Sequence, residues 1–184
     1  MSTENTSNLL SQVQEALGKI PEKDVEALVD AIVEVYRRSG TVFLMGNGGS
    51  AASCSHLACD LRYAQGKEYR FRVVGLTENT PLLTAVANDL GYDKIFSVQL
   101  SQLLKPEDVV LAISVSGDSS NIVEALRYAR ESGAVTLGFL GSGGGAAAAY
   151  LDHAVLLESG DFTVVESAHS VLTQLVADSF RKKI

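Results

Sequence analysis

Short, nearly continuous apolar runs recur along this chain, each closed by a polar or glycine-rich break and followed by a helical pattern. They fall at Thr41–Met45, Phe71–Leu76, Asp108–Ser114, Val135–Leu140 and His153–Leu157. A strand that reads as an unbroken apolar run is covered on both faces, as in a parallel sheet flanked by helices. The alternation therefore predicts an α/β fold with a three-layer, doubly wound, five-stranded parallel sheet. Helices are expected from Ala51 to Tyr63, from Thr77 through Val86, and from Asp93 or Lys94 to Leu104. Others are expected from Asn121 to Ser132, over Ala146–Leu151, and from Thr163 to Phe180. Asn88 to Tyr92 reads as a break, and Tyr92 and Asp93 as residues that close a turn.

Two helices precede the first strand. Leu9, Leu10, Val13 and Leu17 recur at helical spacing over Asn8–Leu17, after a polar stretch, 1–7, expected to fray. Pro21 suits the first turn of the second helix, whose apolar face is Val25, Leu28, Val29, Ile32, Val33 and Tyr36, and Gly40 ends it. These helices need a surface to cover, which a partner subunit would supply.

In such sheets ligands bind beyond the carboxyl ends of the strands. Two loops at those ends are built for an anion. Gly46-Asn47-Gly48-Gly49-Ser50 leads from strand to helix, so backbone N–H groups can approach a ligand closely and the helix start adds unpaired donors. It is neither a P-loop, lacking the Lys-Ser/Thr pair, nor a GxGxxG fingerprint. In the second loop Ser114, Ser116, Ser119 and Ser120 surround Gly117 at a helix start. Capping would ask for one such residue, whereas a cluster of hydroxyls and free N–H groups suits a phosphate monoester. Gly141–Gly145 forms a third glycine loop.

Proton-transfer candidates lie on two helices. His56 and Asp60 are four apart, hence on one face, and Glu166, His169 and Gln174 follow along the last helix. Brought together, the two faces would hold an acid/base pair or a divalent metal. His153, at a strand start, reads as structural. Cys54 and Cys59, five apart on one helix, point to different sides and favour neither a disulfide nor a metal pair.

The formal charge of −7 argues against a broad nucleic-acid surface. No apolar run is long enough to cross a bilayer, and the N-terminus lacks the basic and apolar regions of a signal peptide. A cytoplasmic protein with no membrane contact is expected. The 184 residues suit one domain, with 1–40 as helices for oligomer packing and 41–184 as the α/β core.

Three ordered motifs, Gly46 to Ala52, Leu83 to Phe96 and Ile113 to Asn121, resemble the sugar isomerase (SIS) domain, and within it the phosphoheptose isomerase branch. The resemblance implies a flavodoxin-like sheet, a homotetramer with sites at subunit interfaces, and a phosphorylated sugar as ligand. Carried over by position, Asn47, Gly48, Gly49 and Ser50 would contact the sugar. Ser114, Val115, Ser116 and Ser119 would hold the phosphate, and Asp89 would hydrogen-bond hydroxyls. The branch converts sedoheptulose 7-phosphate to a heptose 7-phosphate, often with zinc nearby.

The proton-transfer positions depart from that pattern. Where the branch has His and Glu on the first core helix, this chain has His56 and Asp60. Where it has Gln and, eight residues on, a catalytic His, this chain has Glu166 and Gln174; Thr163 replaces an acidic residue. Glutamine cannot shuttle a proton at neutral pH. The expectation is a sugar-phosphate isomerase using Asp60, Glu166 and His56, with Gln174 near the substrate. The same His56, Asp60 and Glu166, with Gln174 as a weak fourth ligand, form the candidate zinc set. The alternative is a non-catalytic phosphosugar-binding regulator or adaptor of the replication-initiator-associating type. A lyase or etherase on an amino-sugar phosphate is a further rival, for which 184 residues leave little room.

Overall fold

The computed structural model describes residues 3–64 and 70–184. Helices α1 (Thr3–Gly18) and α2 (Glu22–Arg37) come first. The core follows as β1 (Thr41–Gly46), α3 (Gly49–Tyr63), β2 (Arg72–Gly75), α4 (Thr80–Asp89), α5 (Ser97–Leu103), β3 (Val109–Ser114), α6 (Ser120–Glu131), β4 (Val135–Leu140), β5 (His153–Leu156) and α7 (Phe162–Lys183). Single 3-10 turns lie at Tyr92–Lys94 and Ala146–Tyr150.

All five strands are parallel, in the order β2-β1-β3-β4-β5. That is the flavodoxin-like winding, whose order reverses between β1 and β3. The unbroken apolar character of the strands has the expected cause. Val42 and Leu44 join α2, α3 and α7 in one core layer, while Phe43 and Met45 join α4, α5 and α6 in the other. Tyr36, Phe71 and Phe180 pin α2, the start of β2 and α7 together, with ring centroids 5.2–5.6 Å apart. Such pairs contribute about 0.5–1.5 kcal/mol each beyond area burial.

The structure corrects several expectations. Helix α1 begins at Thr3, inside the stretch expected to fray, of which residues 1 and 2 lie outside the described region. The apolar face of α2 is buried within the chain, against the sheet and α7, so no partner is needed to cover it. Leu10 of α1 and Val171 and Leu175 of α7 remain exposed. Helix α2 stops at Arg37, before Gly40, and the left-handed residue after it is Ser39 (φ 57°). Gly40 is needed for space, because a Cβ there would meet Val35 Cγ2 at 2.5 Å. Helix α4 runs on to Asp89, through the start of the predicted break. Among the described residues no helix is long and apolar enough to cross a membrane.

Candidate active site

The two anion-suited loops share one rim. Gly46 at the end of β1 pairs in register with Ile113 near the end of β3, at the point where the strand order reverses. A reciprocal amide pair joins the loops. Asn47 Nδ2 donates to Asn121 Oδ1 at 3.0 Å, and Asn121 Nδ2 donates to Asn47 Oδ1 at 2.8 Å. Asn121 is buried and also accepts from the backbone N–H of Ile122 at 3.0 Å. Tyr92 Oη adds a third strut, donating to Asn47 Oδ1 at 2.9 Å.

The serine loop is shaped by what it sits on. A Cβ at Gly117 would overlap the Gly144 carbonyl, and one at Gly141 would overlap the Val115 carbonyl. Gly117 (φ 68°) and the run Gly143–Gly145 (φ 56–75°) take left-handed conformations that suit glycine. Gly141 N–H donates to the Val115 carbonyl, and Ala147 N–H to the Gly117 carbonyl. Asp118 accepts from Ala146 N–H at 2.8 Å, so it caps the neighbouring turn rather than α6. Ser114 Oγ accepts from Gly117 N–H and Ser116 Oγ from Asp118 N–H, which leaves each O–H proton free to donate. Ser119 is the N-cap of α6 yet makes no side-chain capping bond. Hydroxyls and an uncapped helix start thus face the rim, as an anion requires.

The first turn of α3 lies beside them. Ser50 is buried there, packed against Gly46. Glu166, in the second turn of α7, lays its carboxylate on Gly49: a Cβ on that glycine would overlap Glu166 Oε1. The Glu166 side chain has no hydrogen-bond partner among the described residues, and a carboxylate beside a helix start is favourably placed. Gly49, Ala52, Ser53, His56, Glu166, Ser167 and Ser170 line an open groove of about 400 Å³.

One turn further along α3, three predicted residues meet. Gln174 Nε2 donates to Asp60 Oδ2 at 2.7 Å and lies 3.2 Å from His56 Nε2; His56 Nε2 and Asp60 Oδ2 are 3.5 Å apart. The amide can donate to His56 Nε2 only in the tautomer that carries its proton on Nδ1.

The triangle bears on zinc. Ligands of one tetrahedral ion with bonds of about 2.0–2.2 Å stand roughly 3.3–3.5 Å apart. The His56–Asp60 edge matches that spacing, whereas the Gln174–Asp60 edge, at 2.7 Å, is shorter, so Gln174 would have to shift as well as turn its oxygen inward to complete the face. Glu166 is a separate group, and among the described residues no three His, Cys, Asp or Glu side chains gather as a metal site.

His169 does not join the site. It is buried beside Phe139, and neither ring nitrogen has a hydrogen-bond partner among the described residues. Burial pushes its pKa down to about 4, only partly offset by the nearby Leu140 carbonyl. Asp89 ends α4 exposed, accepting from Asn88 Nδ2 at 2.8 Å, and Tyr92 is the residue of that segment that reaches the β1 loop. Sequence reasoning missed Tyr92 and Asn121. The one available signal was the place of Asn121 in the sequence, at the start of a predicted helix and at the end of the serine motif. Cys54 is buried and Cys59 exposed, both as free thiols; burial pushes the Cys54 thiol pKa up.

This rim, sheet order and loop pair define a doubly wound α/β protein with two anion-suited loops at its topological switch point. The SIS domain family model matches residues 3–141. The chain belongs to that family, and within it to the phosphoheptose isomerase branch. A phosphoheptose isomerase from Geotalea daltonii is 34% identical over 174 residues, covering 94% of this chain and 91% of that protein. One from Pelobacter propionicus is 37% identical over 154 residues, covering 83% and 82%. The solved structure of a phosphoheptose isomerase from Neisseria gonorrhoeae superposes with a TM-score of 0.88 at 31% identity, covering 98% of this chain and 96% of that one.

Proposed function

We propose that this chain is a phosphosugar isomerase of the phosphoheptose type, acting on sedoheptulose 7-phosphate, and that it works with a rearranged set of proton-transfer groups. The observation that carries this is the unpaired Glu166 carboxylate resting on Gly49, on the same rim as the serine loop. The phosphate sits on Ser114, Ser116 and Ser119, the Val115 backbone and the start of α6. Asn47, Gly48, Gly49 and Ser50 hold the sugar beside the first turn of α3. Asp89 serves the outer hydroxyls.

Isomerisation moves a proton between adjacent carbons through an enediol. Glu166 removes the proton from the carbon next to the carbonyl and returns it to the former carbonyl carbon. A second proton passes between the two oxygens, and His56, with its proton on Nδ1 and Asp60 beside it, carries that step. Gln174 cannot transfer a proton, so its amide orients His56 and Asp60. Zinc held by His56, Asp60 and a turned Gln174 would supply polarisation of the substrate's carbonyl.

The reading extends to a cytoplasmic homotetramer, as the branch implies. The exposed Leu10, Val171 and Leu175 on α1 and α7 are consistent with subunit contact, and light scattering on the eluting protein reads the assembly. The decisive assay is turnover of sedoheptulose 7-phosphate and related ketose phosphates, with and without Zn²⁺. Conversion that fails in Glu166→Gln supports the assignment. Binding without conversion of any of them overturns the enzymatic reading.

A further inference from the structure

Asn47 has little freedom left. An asparagine amide offers two acceptor sites on oxygen and two N–H donors. Both sites on Asn47 Oδ1 are taken, by Tyr92 Oη at 2.9 Å and Asn121 Nδ2 at 2.8 Å. One N–H goes to Asn121 Oδ1 at 3.0 Å. Asn121 is itself oriented, since its oxygen also accepts from Ile122 N–H in the first turn of α6. What remains on Asn47 is a single N–H in a fixed direction.

Tyr92 is held by the same helix that carries Asn121. It opens the 3-10 turn Tyr92–Lys94, and Lys94 Nζ bonds Glu124 Oε1 on α6 at 2.8 Å. Arg127 secures Glu124 in turn, at 3.0 Å. The Tyr92 ring is exposed, yet it lines the hollow beside Asn47, Gly48 and Ala51. A turn-closing tyrosine needs no hydroxyl partner across the rim.

We infer that Tyr92 is a positioning residue for the sugar: through its hydroxyl it aims the one free Asn47 N–H at a sugar oxygen. This rests on the isomerase reading above and adds a residue to it. The effect is on the sugar and not on the phosphate, because the serine loop makes no contact with Tyr92 among the hydrogen bonds described.

The test is a cycle of Tyr92→Phe, Asn47→Ala and the double variant, read as kcat/KM for sedoheptulose 7-phosphate and as inhibition by inorganic phosphate. Loss of one hydrogen bond predicts a drop of about fivefold for Y92F in the wild-type background. In the N47A background the drop falls below twofold, and inhibition by inorganic phosphate is unchanged throughout. An equal Y92F loss in both backgrounds, or a parallel loss of phosphate inhibition, overturns the inference. A second arm needs no turnover. The side-chain amide resonances of Asn47 and Asn121, assigned from the signals missing in N47A and in Asn121→Asp, shift in Y92F if the strut exists. If they stay in place, the inference fails. If they shift while the wild type converts no ketose phosphate, the strut stands, the isomerase reading falls, and with it the sugar-aiming role.

Discussion

Gly49→Ala separates the chemistry from the fold. A Cβ at Gly49 would overlap Glu166 Oε1 and lie 2.8 Å from Glu166 Cδ. Ordinary carbon contacts need roughly 3.5–4.0 Å, so the carboxylate must withdraw by about 1 Å or more. Misplacing a reacting group by that much costs on the order of 10²-fold in rate. Stability moves the other way or not at all, since alanine is the better helix former by up to about 1 kcal/mol. For a chain of this size that is a Tm change within roughly 4 °C. The pair of assays is isomerase turnover and thermal unfolding on the same preparation. Gly48→Ala is the contrast. Gly48 has φ 53° and open space around its Cβ direction, so alanine there strains the backbone without touching Glu166. Full activity in G49A would refute the role of Glu166 as the carbon base. Collapse of its stability by more than about 2 kcal/mol would refute the packing argument.

Glu166→Gln should lower kcat by about 10²–10⁴-fold while KM changes little, as steady-state kinetics would read. His169 should make the protein acid-sensitive. Its pKa is depressed from 6.5 to about 4, so the unfolded chain takes up the proton first as pH falls. Stability is full above pH 6.5 and is lost between there and pH 4, by at most about 3 kcal/mol. Urea unfolding across that range should show the slope in the wild type and not in His169→Leu, which leaves stability at pH 7 nearly unchanged. Asp118→Ala removes the bond to Ala146 N–H and should cost about 1 kcal/mol, together with a higher KM for the phosphosugar, measured by thermal unfolding and kinetics.

The sheet was legible because burial on two faces leaves a plain mark, an apolar run with no alternation, and the central strands β1, β3 and β4 carry it, while the edge strands β2 and β5 are shorter and partly exposed. The loops were legible because glycine and serine cluster at strand ends for few other reasons. Long-range partners left no such mark. Nothing local tells that His169 turns into the core while Glu166, three residues earlier, faces the groove, since a helix puts both near one stripe. Tyr92 reads as a turn residue until the fold carries Asn47 to it. The α2 face was readable as apolar, but its cover, the same chain's sheet and α7, depends on topology that periodicity does not contain. Ser39 holds the left-handed position, and Gly40 beside it admits Val35.

The seating of the serine loop on bare glycines has a consequence for anyone who would borrow it. The curve of Ser114–Ser119 is a cast of the neighbouring glycine tract, with Gly117 touching Gly144 and Val115 touching Gly141. Transplanted alone into another scaffold, those six residues would carry their hydroxyls but not their shape. The portable module is two adjacent strand ends and both of their loops, moved together.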